Sequence, residues 1–160
     1  DALLAVAGRL EARPGGPAEA DAMTSRRMLY IKTTRTNRSG LGPLFDAADA
    51  AMHVERRTVS TIAPQALYLM NDSGIGDAAG KVVARPEIAA QTDPPLRIQA
   101  LYKLIFGRVP TPSEVELGCS FIERAKVEPL DGPPGSTEAG DPWGVYTQAL
   151  LLSNEFLFVD

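Results

Sequence analysis

The sequence predicts a mainly α, irregular helical domain with a helical hairpin and one short extended segment. Three observations carry this. Apolar residues recur at helical spacing between residues 94 and 126. Proline and glycine clusters chop the rest of the chain into short pieces. Alternation of the strand type is confined to a few residues after Arg27. With 160 residues the chain suits a single domain, 1–160, able to bury about 68–70% of its unfolded surface.

Taken in order, "DALLAVAGRLEA", residues 1–12, reads as the tail of a helix striped by Leu3, Leu4, Val6, Ala7 and Leu10. A chain that opens inside such a pattern, without Met or a basic leader, is expected to be the C-terminal fragment of a larger protein. "RPGGPAEADA" breaks the helix. In "RRMLYIKTTR", Met28, Tyr30 and Lys32 alternate with Leu29, Ile31 and Thr33, which predicts an extended segment. A short helix is expected after Pro43. Within "RRTVSTIAPQALYLMN" Ser60 or Thr61 would cap a helix, Pro64 suits its first turn, and "QALYLM" supplies its buried face. A second helix is expected over about 75–84.

The hairpin at 94–126 has the clearest punctuation. Asp93 is a candidate cap before Pro94 and Pro95, and Ile98, Leu101, Leu104 and Ile105 form a stripe. Gly107 suits a left-handed stop, and Thr111, Pro112 and Glu114 spell a capping box for the second helix. Residues 127–142 read as a flexible proline-glycine loop, and 143–160 as a buried terminal helix with an extended end at "FLFVD".

Composition narrows function by exclusion. A net charge of −4 gives no general pull toward nucleic acid, and the basic stretch interleaves only Tyr30, so no nucleic-acid partner is expected. No apolar run approaches the roughly 20 residues of a membrane span. Cys119 and His53 are the only residues of their kinds, which rules out an internal disulfide and a multi-imidazole metal centre. Asp46, Asp49 and His53 would share a helix face and could hold a divalent ion. No other segment offers a fourth ligand, so a solvated face is the better reading and no metal is expected.

Arg26, Arg27, Lys32, Arg35 and Arg38 put five positive charges between residues 23 and 45 without an acid among them. They could grip a sulfated or carboxylated glycan, with Lys32, Arg35, Asn37, Arg38, Thr61 and Gln65 as ligand contacts. The preferred reading is structural. Arg26, Arg27, Arg56, Arg57 and Arg108 are expected to form a partly buried network with Asp46, Asp49 and Glu155, the Arg26–Thr34 segment packing beside 56–71. No serine has a partner at motif spacing, and no phosphate-binding glycine loop is present.

The ordered series "AVAGRLEARPGGP", "RRMLYI", "LFDAADAAMHVERRTVSTIAPQALYLMN", "LYKLIFGRVPTPSE" and "ALLLSNEFLFVD" resembles a bacterial domain of unknown function. That domain forms the C-terminal part of large planctomycete and verrucomicrobial proteins that often carry a cytochrome-c-like module. The resemblance spans nearly all of the chain. Matching positions are Arg26, Asn37, Phe45, Asp46, Arg56, Arg57, Thr61, Gln65, Ala66, Leu67, Asn71, Arg108, Asn154, Glu155 and Phe156. Ala50 departs from the proline that usually follows the second acid of the F-D-x-x-D motif. The resemblance implies an exported protein of the periplasm or cell surface. It supplies no catalytic residue, and the C-x-x-C-H haem signature is absent here, so haem would belong to another part of the full-length protein. The expectation is a non-catalytic structural or interaction module whose partners are other domains of the same polypeptide. Two alternatives are an anionic polysaccharide-binding module and part of a hydrolase or redox enzyme completed by an N-terminal region.

Overall fold

A computed structural model describes residues 1–20, 24–34, 41–48, 51–53, 55–56, 60, 62–128 and 140–158. Helices dominate, as the spacing predicts: α1 (Ala2–Val6), α2 (Leu41–Leu44), α3 (Ala63–Asn71), α4 (Ser73–Val83), α5 (Pro86–Ala89), α6 (Pro94–Phe106), α7 (Pro112–Val127), α8 (Pro142–Leu151) and α9 (Asn154–Leu157). The core lies where α4, α6, α7 and α8 meet, with Val82, Ile88, Ile98, Leu101, Ile122 and Leu151 almost wholly out of water.

The hairpin forms as its punctuation requires. Gly107 ends α6 with φ +70, donating its N–H to the Lys103 carbonyl. Thr111 Oγ1 accepts the Glu114 amide, and Glu114 Oε2 accepts the Thr111 amide at 2.6 Å. Asp93, by contrast, makes no side-chain cap bond. Pro95, at the second helical position, has no N–H, so one of the two amides a cap would satisfy does not exist. Gly118 lets α7 close on its neighbours: a Cβ there would stand 2.6 Å from Tyr146 Oη and 2.8 Å from Ile98 Cδ1.

The most extensive helix–helix contact joins α4 to α8. Ile75, Ala78, Ala79 and Val82 give α4 a buried stripe of mostly small residues, onto which α8 lays Tyr146, Thr147, Leu150 and Leu151. In place of one continuous helix over 143–160, the helix stops after Leu151 and restarts at Asn154. The Ser153 hydroxyl donates to the Leu150 carbonyl at 2.7 Å, competing with continuation of the helical ladder. The "FLFVD" end is therefore helical through Leu157, and only Phe158 among its described residues is extended.

Four other expectations are corrected. The helical tail is shorter than 1–12, ending at Val6 with Gly8 at φ +68. Residues 28–30 form a 3-10 turn within the expected extended segment, leaving two isolated parallel bridges, Glu11–Arg26 and Glu19–Ile31. The short helix placed after Pro43 includes it, as α2. Asp46 then adopts φ +55 and residues 45–48 are not helical, so no continuous helix runs from Asp46 to His53; Asp49 lies outside the described residues. The predicted loop lies almost entirely in 129–139, outside the described residues.

Candidate functional site

Among the described residues, the polar side chains singled out by the sequence gather in three groups, each built by local geometry.

The first surrounds Arg26, which is 1% exposed. Gly15 and Gly16, at φ +69 and +92, curl the 13–19 loop so that its carbonyls face inward. Arg26 Nη1 donates to the Pro17 carbonyl at 2.9 Å and Nη2 to the Gly15 carbonyl. Glu19 sits 3.4 Å from Nη1, and the guanidinium lies 4.0 Å over the Tyr30 ring. Tyr30 Oη in turn accepts the Gly15 amide at 2.9 Å. Its partners are thus the carbonyls of a loop the sequence marks only as a helix breaker, while Asp46 binds Ser60, Glu155 binds Arg108, and Asp49 lies outside the described residues. Arg27 pairs instead with Asp1 at 3.0 Å.

The second group centres on Asp46. Its carboxylate accepts the Ser60 amide at 2.7 Å and the Ser60 hydroxyl at 2.9 and 2.7 Å. Ser60 is thereby diverted from capping α3. Gln65 does that work from inside the first turn: its Oε1 accepts the Ile62 amide at 3.1 Å, while Nε2 donates to the Leu44 carbonyl at 2.9 Å. Gln65 is buried with its amide spent on backbone, which corrects its expected role as a ligand contact. Arg56, His53 and Lys32 are exposed. Arg35, Asn37, Arg38, Asp49, Arg57 and Thr61 lie outside the described residues.

The third group ties the hairpin turn to α9. Arg108 grips Glu114 with two parallel bonds, Nη1 to Oε2 at 3.0 Å and Nη2 to Oε1 at 2.7 Å. It reaches Glu155 with two more, Nε to Oε1 at 2.6 Å and Nη2 to Oε2 at 2.8 Å. Glu155 and then Glu114 push the Arg108 pKa upward. The Arg108 hydrogen bonds, then the Thr111 amide, hold the Glu114 carboxyl down at about 2, and Arg108 also lowers Glu155. Glu155 reaches Arg108 from α9, and Glu114 joins the pair because the capping box aims its carboxylate at the turn where Arg108 stands. Beneath them, burial raises the Tyr102 and Tyr146 hydroxyls, which share a hydrogen bond.

Sequence reasoning missed one pair. The Arg97 guanidinium lies 4.5 Å over the ring of Trp143. Trp143 itself packs against the core. Nothing in the linear pattern of α6 marks Arg97 as its partner, because the contact is made across two helices.

Among the described residues, no group of three metal-ligating side chains comes together, and no helix is long and apolar enough to cross a membrane. The geometry thus defines a helical domain whose polar clusters are engaged largely with the protein's own backbone and acids. The family model of PSD1, a protein of unknown function (DUF1553), matches residues 1–122, and the chain belongs to that family. No curated protein and no solved structure matches it. The matched residues end inside α7, so α8, the main partner of α4, lies beyond them.

Proposed function

We propose that the chain is a non-catalytic structural or interaction module of a larger exported protein. Its parent is of the planctomycete type that often carries a cytochrome-c-like module, and it works in the periplasm or at the cell surface. The module's partners are other domains of the same polypeptide, and any haem belongs to them. The observation that supports this reading is the inward engagement of Arg26: this buried arginine of the basic segment meets carbonyls, an acid and a ring of its own chain. A recognition residue would hold its donors toward solvent.

Removing one partner from a buried charged cluster costs about 3–5 kcal/mol. For a chain of this size that is roughly a ten-degree fall in melting temperature. Arg26→Ala is therefore expected to melt about ten degrees lower while retaining whatever weak affinity the chain has for a sulfated or uronate matrix. An unchanged melting curve with lost retention on that matrix would replace this reading with polysaccharide recognition.

A further inference from the structure

Among the described residues three arginines stack on aromatic rings, and only two of them also meet an acid. Arg26 over Tyr30 has carbonyls and Glu19, and Arg108 over Tyr102 has two glutamates. Arg97 over Trp143 is different. Its Nε, like that of Arg26, is buried with no hydrogen-bond partner, but unlike Arg26 and Arg108 it forms no ion pair with an acid among the described residues. The acid whose charge acts on it is Asp141, whose Oδ2 already accepts the Gly144 amide at 2.9 Å as the cap of α8. Burial lowers the Arg97 pKa against the weaker opposing pull of Asp141, so the cation has lost part of its water without gaining an anion. A desolvated, unpaired guanidinium is unfavourable in a folded chain. It is also a receptor for an incoming carboxylate, because its fork matches that group's two oxygens and its water is already partly displaced.

We propose that Arg97, held against the Trp143 ring between the starts of α6 and α8, is a binding site for a carboxylate-bearing ligand. The ligand's two oxygens take the guanidinium edge, while the indole fixes the plane of the fork and shields one face from solvent. This site is separate from the basic segment at 26–38 and does not depend on the module's proposed structural role.

Trp143 is the chain's single tryptophan, so its emission reports on this site alone. Titration of the whole chain with glucuronate, at constant ionic strength, is expected to give a saturable change in emission. Glucose and matched sodium chloride are expected to give none. Arg97→Gln removes the charge and abolishes the response; Arg97→Lys keeps the charge but loses the fork, weakening binding at least about tenfold. Circular dichroism establishes that each variant is folded, and the lysine variant carries the test if the glutamine variant is not. The proposal is overturned by a flat titration, or by a response that survives in the folded variants. An equal response to sulfate overturns the assignment of a carboxylate.

Discussion

Gly118 is the tightest of the described glycines. Replacing it with alanine would gain up to about 1 kcal/mol of helix propensity. Against that, the new methyl would fall within 2.6 Å of Tyr146 Oη and 2.8 Å of Ile98 Cδ1, and overpacking of this kind costs about 1–3 kcal/mol. The steric term wins, since Tyr146 is itself wedged between Phe121 and Trp143 and has little room to yield. Gly118→Ala is expected to lower the melting temperature by several degrees; a gain would show that α7 slides away from α8 at little cost. At this scale the sequence was only partly legible. It marked Arg26 and Gln65 as unusual, but their partners are a loop carbonyl row and an amide array that no spacing rule encodes. Arg97 escaped entirely for the same reason.

Elements were read more reliably where punctuation is local. Gly107, Thr111 and Glu114 act within a turn of their own positions, so the α6–α7 hairpin could be written from sequence. The break between α8 and α9 could not, because it depends on whether the Ser153 hydroxyl turns back to Leu150. The hairpin also carries a pH dependence. Glu114 ordinarily titrates near 4.5 and is held at about 2 in the folded state, and Glu155 is shifted the same way. A depressed folded pKa contributes stability in full above the unfolded value and loses it as pH falls through the folded one. The chain should therefore lose stability progressively from about pH 5 toward pH 2. Both carboxylates are well exposed to solvent screening, so the effect is modest. Melting curves of the native chain and Glu114→Gln are expected to converge as the acid range is entered; parallel curves would mean the carboxylate is not engaged in solution.

At the scale of the whole molecule, the apolar residues divide unevenly. Residues 75–151 hold nearly all of the buried hydrophobic side chains, whereas between Gly8 and Gly74 the buried described residues are Arg26 and Gln65. There the chain is organised by polar ties, and α3 exposes Leu67 and Met70, each 58% accessible. The sequence assigned "QALYLM" to a buried face because its spacing fits one; only the tertiary arrangement reveals that this face is uncovered in the chain alone. The family match stops inside α7, yet α8 is what α4 packs on. A chain ending at Glu128 would uncover Ala78, Ala79, Val82 and Leu101 together. It is expected to lose its cooperative thermal transition and to bind a hydrophobic dye. A sharp transition in that truncated chain would show that the matched residues fold without α8.

The Arg26 cage carries a consequence for how this region can vary. A loop shaped by its own apolar side chains can lose or gain a residue and repack around the change. The 13–19 turn has no such freedom, because its form is set by a fork of donors arriving from elsewhere in the chain. Lengthening "RPGGP" by one residue would strand those donors, and replacing the arginine would leave the turn without a template. Loop length and arginine are expected to depend on each other.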